Sequence, residues 1–556
     1  MGMPFNRRTL LAGGAATAAG IAGASALGLD LSGLAGAAST NGPGRNGIST
    51  ATPKKGGSLV FGVDAEESGF NPTTARFDEV GVMYARTVFD PLTIINAQGA
   101  WEPYLAETVT PNPDHTSWTI TLRPNVVFHD GTACDGAAML TNFEAQKASL
   151  LLGTLILVPI LDTITQSGPL AVTLTFKSPW VSFPLYLAGG IGGQSAYMCA
   201  PSMLAATNGG TSQPVGTGPF VFKEWVPNSH FTATANSHYW RPGLPHLDEI
   251  TFKPIIDENA RAEALKAGTI DIMITDTPQI ITQFRGNKEY AYIDDGTHVV
   301  GEPDMNCVLL NCAAAPFNNP VVRRAAAMAI NRVQYAKEID DNVLPVSTGL
   351  FTKGSPYYSA TAYPAFNPTE AKKLVKQVAK STGKPVSFTI GTTPAPAATR
   401  AQQYLQQAWQ DVGFVVKDTI VEQNDLIDNA LAGKFEALEW RQFGAVDPDL
   451  NYIFWSTTTI LAKNLSINMA RNVDPTLQAA LQQGRATTDP ALRAKAYQTV
   501  NKRMALDLPY LWLDRAVWSV ESTLKVQNWN NPTTPSGSKA YGMIGGSIWP
   551  TQIWLS

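Results

Sequence analysis

The sequence predicts a mixed α/β (α+β) protein that is divided into two or three lobes. The chain has 556 residues, and a single core rarely extends beyond about 250–300 residues. Its hydrophobic fraction of 44% is close to the globular average, which argues against a disordered chain and against a polytopic membrane protein. Strand-like and helix-like patterns alternate after residue 57, as expected of an α/β or α+β architecture.

Three segments have the pattern of strands. Residues 59–63 (LVFGV) form a short apolar run, which is typical of a buried strand. In 118–122 (WTITL) and 172–176 (VTLTF), large apolar residues alternate with threonines. Because successive side chains of a strand point to opposite faces, we expect each of these two strands to bury one face and expose the other.

Two segments carry clear helix starts. Asn319-Pro320 places a capping residue before a proline at the first helical position, and Asn367-Pro368 repeats this arrangement. Apolar residues follow at helical spacing in both segments, which predicts amphipathic helices. They are Val321, Ala325 and Met328 in the first segment, and Ala371, Leu374, Val375 and Val378 in the second.

The charge of the chain argues against nucleic acid as a partner. The formal net charge is −4, and only 15% of the residues are charged, against about 25% in a typical globular protein. The sequence contains no basic block and no stripe in which basic and aromatic residues alternate. Such features are the usual electrostatic signature of a nucleic-acid interface.

The first residues have the character of an export signal. Arg7-Arg8 directly precedes a weakly hydrophobic run rich in Ala, Gly and Leu, and this pairing resembles a twin-arginine (Tat) signal, which we expect over residues 1–38. An ordinary secretory signal or an uncleaved anchor stays open, since the run is long enough to span a bilayer. Residues 39–57 are rich in Gly, Ser, Thr, Pro and Asn, and we expect them to form a flexible linker.

The cysteines argue against a lipid anchor. A lipoprotein carries a cysteine directly after its signal, whereas the first cysteine here is Cys134. Cys307 and Cys312 are five residues apart in a strand-like run, and this spacing sends their side chains to opposite faces. We therefore expect four unpaired thiols in an exported protein that is not a lipoprotein and works in the periplasm or at the outer face of the cytoplasmic membrane or cell wall.

Motifs for catalysis and for metal binding are absent from the sequence. It contains no GxSxG elbow, P-loop, HExxH motif or Rossmann fingerprint, and its six histidines are scattered without metal-like spacing. Asp447-Pro448-Asp449 could be a carboxylate pair, but such a turn more often caps the local backbone. We therefore expect a protein that is not an enzyme and that has no cofactor and no metal site.

A series of segments in a fixed order resembles the extracellular solute-binding proteins of ABC importers, specifically family 5, whose members serve peptides, nickel and some sugars. The segments are 69–72 (GFNP), 101–107 (WEPYLAE), 118–123 (WTITLR), 127–131 (VFHDG), 214–220 (PVGTGPF), 317–325 (FNNPVVRRA), 409–413 (WQDVG), and Trp440 with 447–449 (DPD). Together they span nearly all of residues 58–520. Each segment also has a structural interpretation, so they indicate the scaffold more than the ligand.

The resemblance implies a fold of the type II periplasmic-binding-protein kind, with two lobes, a hinge and a third domain inserted in the first lobe. Lobe I is expected over 58–72, 196–305 and 513–556, the inserted subdomain over 73–195, and lobe II over 306–512. The ligand would bind in the cleft between the lobes, which close over it. The implied partners are the ABC permease subunits with their cytoplasmic ATPases, and the expected form is a monomer.

The cleft departs from the pattern of the dipeptide-binding relatives at two positions. Those relatives hold the amino group of the peptide with an aspartate three residues after the tryptophan that matches Trp440, where this chain has Phe443. They hold the carboxylate with an arginine, where this chain has Thr392. Because removing one partner of a buried charge pair costs about 2–5 kcal/mol, zwitterionic dipeptides should be poor ligands.

By resemblance, the candidate ligand-binding residues are Glu66, Phe70, Thr392, Trp440, Arg441, Phe443 and Asp447. Arg441, Glu66 and the adjacent Glu67 could replace the lost charges, or could form surface salt bridges. Trp440 and Phe443 could offer aromatic faces to sugars, hydrophobic side chains or planar ligands, or could pack in the core. No histidine clusters with Trp440, so a nickel ligand lacks its usual support.

Two classes of function are compatible with these observations. The first is a binding protein that feeds an ABC importer with a peptide or a related small organic solute, with an oligosaccharide or another non-peptide solute as the alternative ligand. A signalling receptor on the same fold is a variant of this class. The second is a secreted hydrolase, which would need a nucleophile that the sequence does not reveal.

Overall fold

The computed structural model describes residues 46–75, 77–149, 156–190, 193–295, 302–442, 444–460 and 466–556. The predicted export signal, the first residues of the predicted linker and Phe443 lie outside the described residues. Within these residues the strands are β1 (Ser58–Val63), β2 (Thr93–Ile95), β3 (Trp101–Pro103), β4 (Ala106–Pro111), β5 (Ser117–Leu122), β6 (Leu161–Gly168), β7 (Ala171–Phe176), β8 (Phe220–Val226), β9 (His230–Ala235), β10 (Glu249–Pro254), β11 (Ile272–Thr275), β12 (Tyr290–Asp294), β13 (Met305–Leu310), β14 (Ser387–Thr392), β15 (Val415–Ile420), β16 (Ala437–Gln442), β17 (Tyr510–Arg515), β18 (Ser519–Thr523), β19 (Val526–Gln527) and β20 (Trp554–Leu555).

The α-helices of the same residues alternate with these strands, as the predicted α/β architecture requires. They are α1 (Glu79–Val88), α2 (Gly136–Ala148), α3 (Phe183–Tyr186), α4 (Pro201–Ala205), α5 (Glu258–Lys266), α6 (Pro278–Phe284), α7 (Pro320–Ala329), α8 (Arg332–Glu338), α9 (Pro368–Thr382), α10 (Pro396–Asp411), α11 (Gln423–Ala432), α12 (Tyr452–Trp455), α13 (Pro475–Ala486) and α14 (Pro490–Asp507). No helix in the described part of the chain has both the length and the apolar character that a membrane crossing needs.

Three larger sheets organise the described residues, which also contain two two-stranded sheets, β2-β3 and β19-β20. Sheet A has the strand order β12-β18-β11-β1-β10-β9-β8, sheet B the order β15-β14-β16-β13-β17, and sheet C the order β4-β5-β7-β6. The strands of sheet A fall inside the ranges predicted for lobe I, and those of sheet C fall inside the predicted insertion. Sheet B crosses two predicted boundaries, because β13 begins at Met305 and β17 runs through residues 512 and 513. The lobe ranges themselves stay predictions.

The predicted strands and helices are present. The central residues of β5 and β7 bury one face of each strand, and threonines line the other face, where Thr119 lies opposite Thr173. The side chain of Asn319 accepts a hydrogen bond from the backbone N–H of Val321 at the start of α7, and Asn367 caps α9 in the same way. These predictions succeed because alternation and capping depend on neighbours in the sequence.

Sheet B is covered on both faces. Val308 and Leu310 belong to a core cluster that includes residues of α7, α9 and α10, whereas Cys307 and Leu309 point to the opposite face and join the largest core cluster. All four cysteines are free thiols, as predicted.

Candidate ligand-binding cleft

The ends of the strands in sheets A and B face the same region of the molecule. In sheet A, β1 pairs in parallel with β10 and β11, so their carboxyl ends lie at one edge. In sheet B, β14 pairs in parallel with β15 and β16. The chain passes from β12 to β13 and returns from β17 to β18, and these two crossings join the two edges. Ligands of open α/β sheets bind outside the carboxyl ends of the strands, which makes the region between the two edges the candidate site.

Arg441 connects the two edges directly. It lies near the end of β16, and both its Nη1 and its Nη2 are 3.1 Å from Oδ2 of Asp276, the residue after β11. Its Nε donates to Oδ1 of Asn306 at 3.3 Å. Burial acts to lower the pKa of Arg441, but the carboxylates of Asp276, Asp304 and Glu79 outweigh it, so the pKa is raised above its ordinary value. The guanidinium therefore stays charged and links sheet A to sheet B.

Two further carboxyl groups accept backbone hydrogen bonds next to the chain segments that connect the two sheets. Oδ1 of Asp295 accepts from the backbone N–H of Trp518 at 2.8 Å, and Oδ1 of Asp304 accepts from the backbone N–H of Gly444 at 2.7 Å. Burial raises the pKa of both groups. Asp276, Asp295 and Asp304 were not among the predicted site residues, although each lies just outside a strand end, where polar side chains of α/β sheets gather.

Glu66 and Phe70 lie in the loop that follows β1. Oε1 of Glu66 accepts from Nε1 of Trp225 at 2.7 Å, and Oε2 accepts from the backbone N–H of Asn228 at 3.1 Å. Phe70 is buried and packs edge-on against Trp225, with ring centroids 5.0 Å apart. Burial, followed by the nearby acidic residues, raises the pKa of Glu67 well above its ordinary value, which favours its uncharged form. In this structure, Glu66 and Phe70 connect the loop after β1 to β8 and to the turn that follows β8.

Thr392 and Trp440 are buried in sheet B. Thr392 is fully buried at the end of β14, and its hydroxyl donates to the carboxylate of Glu439. Trp440 is 3% exposed and lies opposite Cys307 in the β13–β16 pair. The alternative of core packing therefore describes Trp440 in this structure. A ligand-binding role for either residue stays a prediction, as it does for Phe443.

Asp447 and Asp449 each pair with an arginine from a helix that follows them. Oδ1 of Asp447 accepts from Nη2 of Arg493 at 2.6 Å, and Oδ1 of Asp449 accepts from Nε of Arg485 at 2.7 Å. Both carboxylates are buried. Oδ1 of Asp447 also accepts from the backbone N–H of Asp449, which is the predicted backbone capping. The two ion pairs were not predicted, because Arg485 and Arg493 lie on α13 and α14, outside the motif.

Charged side chains line the facing edges of sheets A and B. Among the described residues, no group of three or more His, Cys, Asp or Glu side chains could hold a metal ion. The charged groups at the facing edges are Arg441, Asp276, Asp295 and Asp304, and hydrogen bonds or an ion pair hold each of them. Such groups can orient a polar ligand between two sheets.

Comparisons with known proteins agree with this geometry. The chain is 27% identical over 430 residues to the glutathione-binding protein GsiB of Pectobacterium atrosepticum, which covers 74% of this chain and 79% of that protein. It is 24% identical over 474 residues to GsiB of Escherichia coli K12, which covers 82% of this chain and 88% of that protein.

Solved structures share the fold. The agropinic acid complex of the periplasmic binding protein AgaA from A. tumefaciens R10 matches with a TM-score of 0.76 and 22% identity, covering 90% of this chain and 99% of that chain. The peptide complex of DppA from Helicobacter pylori has the same TM-score and identity, covering 90% and 98%. These structures confirm the predicted fold class.

A family model supports the same assignment. The model for bacterial extracellular solute-binding proteins, family 5 Middle, matches residues 100–460, which is more than half of the chain and spans sheet C and most of sheet B. The resemblance found in the sequence motifs is thereby confirmed. The chain belongs to the family 5 bacterial extracellular solute-binding proteins.

Proposed function

We propose that the protein captures a small organic solute, a peptide or a related compound, between two lobes and delivers it to the membrane subunits of an ABC importer. The observation that carries the proposal is the facing pair of strand edges in sheets A and B, which two chain crossings join and the Arg441–Asp276 ion pair bridges. Two crossings between the same pair of sheets form a natural hinge. The lobes would follow the ranges predicted from the sequence, and the protein would bind its ligand without transforming it.

The proposed ligand is a solute whose ends are uncharged or lie outside the cleft. The position that carries arginine in dipeptide-binding relatives is Thr392, and its hydroxyl is already bonded to Glu439. Arg441 and Glu66 could replace the lost charges, but both already have partners in the protein. Arg441 pairs with Asp276, and Glu66 accepts a hydrogen bond from Trp225. The glutathione-binding relatives favour a peptide-like compound, and an oligosaccharide is the alternative.

The proposed location is outside the cytoplasm. The Arg7-Arg8 pair and the apolar run that follows support export through the Tat pathway. The absence of a cysteine near residues 20–40 supports a protein without a lipid anchor. We propose that the exported protein works as a monomer beside its permease.

A solute screen tests the proposal. The purified protein is mixed with the dipeptide Met-Leu, its N-acetyl amide, glutathione and an oligosaccharide mixture, and its unfolding temperature and radius of gyration are measured. A ligand at a hundredfold excess over its Kd stabilises the folded state by about 2.7 kcal/mol. One class of solute should raise the unfolding temperature and also shrink the particle. Chemical turnover of that solute, or binding with no change of radius, would contradict the proposal.

A matched pair of variants separates cleft binding from general stabilisation. Arg441→Ala removes the arginine that bridges the two sheets, whereas Arg503→Ala removes an arginine that pairs with Asp474 and Asp507 away from the strand edges. We expect the first variant to change the affinity for the selected solute and the second to leave it unchanged.

A further inference from the structure

A second contact joins parts of the chain that the proposed lobes would separate. Oδ2 of Asp449 accepts from Nε1 of Trp180 at 2.8 Å and from Oγ of Ser182 at 2.5 Å. Oδ1 of the same carboxylate accepts from Nε of Arg485 at 2.7 Å. The backbone N–H of Val181 donates to the carbonyl oxygen of Arg485 at 3.1 Å. This contact is distinct from the Arg441–Asp276 pair at the strand edges.

The partners come from different sheets. Trp180 and Ser182 follow β7 of sheet C, and Asp449 follows β16 of sheet B. Trp180 and Asp449 are 269 residues apart in the sequence. Arg485 is in α13, which lies in the proposed lobe II together with Asp449. If the lobes open, the ion pair between Asp449 and Arg485 can stay intact, while the bonds from Trp180 and Ser182 must break.

The chemistry of the contact suits a reversible closure. The side chain of Asp449 is fully buried, and its oxygens accept hydrogen bonds from Trp180, Ser182 and Arg485. Hydrogen bonds to an ionised acceptor are shorter and stronger than neutral ones. When the lobes separate, water can replace the two lost donors at Asp449, and Arg485 still neutralises its charge. Opening therefore breaks three hydrogen bonds, the two to Asp449 and the one from Val181 to Arg485, but leaves no unpaired charge in the protein interior.

We infer that Trp180 and Ser182 are positioning residues that hold the lobes closed through Asp449, and that this contact sets the affinity for every ligand without touching the ligand. The inference rests on the proposed function. The apparent dissociation constant of a ligand that binds only the closed form is its intrinsic constant divided by the fraction of protein that is closed. Weakening the contact lowers that fraction and raises each apparent constant by one common factor.

Two substitutions test the contact. Ser182→Ala removes one hydroxyl, and Trp180→Phe removes the indole N–H while keeping an aromatic ring against Phe183. From the usual strength of a hydrogen bond to a charged group, each change should lower the closed-to-open ratio about tenfold. Trp409→Phe is the matched control, because Nε1 of Trp409 donates to the carbonyl oxygen of Ala326 within the proposed lobe II.

The closed-to-open ratio is measured without any ligand. Spin labels are attached at Gln166→Cys on β6 and at Lys495→Cys on α14, which are both exposed, and pulsed electron resonance gives the distribution of distances between them. The part-buried Cys312 is replaced by serine, and the other native cysteines are buried. The same variants are then titrated with glutathione and with the N-acetyl amide of Met-Leu, which serve as the probes of affinity.

The expected result is a larger population of the long distance in Ser182→Ala and Trp180→Phe than in the unmodified protein and in Trp409→Phe. Every probe that binds should lose affinity by the same factor in a given variant. An unchanged distance distribution in a folded Ser182→Ala protein overturns the inference, and so does a loss of affinity that differs between probes. If none of the solutes in the screen binds the unmodified protein, the proposed ligand classes fail instead, while the distance measurement still decides the role of the contact.

Discussion

Replacing Arg493 with methionine leaves a fully buried carboxylate without its cation. The side chain of Asp447 is completely buried, and that of Arg493 is 6% exposed. Nη2 of Arg493 donates to Oδ1 of Asp447 at 2.6 Å, Nη1 contacts Oδ2, and Nε donates to the carbonyl oxygen of Gly484 at 3.0 Å. Methionine fills a similar volume but offers none of these donors.

The expected loss is large because the partner group remains charged and buried. Removing one member of a buried ion pair typically costs 3–5 kcal/mol, so we expect Arg493→Met to lower the free energy of unfolding by about 4 kcal/mol at neutral pH. Burial already raises the pKa of Asp447, and the charge of Arg493 opposes that shift. Without Arg493 the pKa rises further, so protonation relieves part of the loss at low pH. The difference from the unmodified protein should therefore grow as the pH rises.

Urea denaturation followed by circular dichroism measures the effect between pH 4.5 and 7.5. The double variant Asp447→Asn with Arg493→Met removes the stranded charge and should recover at least half of the lost stability. Arg503→Met is the control, since Arg503 is 31% exposed beside Asp474, and partly exposed ion pairs contribute about 1 kcal/mol or less. A loss below about 1 kcal/mol in Arg493→Met, or no recovery in the double variant, refutes the reasoning.

Three further predictions concern pH, export and selectivity. Burial raises the pKa of Glu521 to about 8. Its contribution to stability is therefore present at low pH and is lost as the pH rises from about 4.5 to 8, by up to about 1.4 kcal/mol per pH unit. Glu521→Gln should flatten this pH dependence in thermal unfolding, and equal slopes in the two proteins would contradict the prediction. Replacing Arg7 and Arg8 with lysine should trap the precursor in the cytoplasm, whereas normal export in cell fractionation would remove the Tat assignment. Phe443→Asp should improve the calorimetric affinity for free dipeptides, and micromolar binding of dipeptides by the unmodified protein would show that the lost charge partners had been replaced.

The sequence alone predicted several secondary-structure elements and the protein family. The alternation in 118–122 and 172–176 predicted β5 and β7, and the Asn-Pro pairs at 319 and 367 predicted the starts of α7 and α9. These signals depend on residues within one or two turns of each other, so no tertiary information is needed to interpret them. The order of the family motifs predicted the fold class, because those segments form the scaffold of the fold.

The roles of the candidate site residues were decided by the tertiary structure. Arg441 and Asp276 are 165 residues apart, and they meet only because two chain crossings bring the edges of sheets A and B together. The hydroxyl of Thr392 is bonded to Glu439 on the neighbouring strand, and Asp449 receives donors from α13 and from the connection after sheet C. The sequence determined which polar side chains this protein has. The packing of its sheets decided which partner each one meets, because a buried polar group must pair with whatever donor or acceptor the topology places beside it.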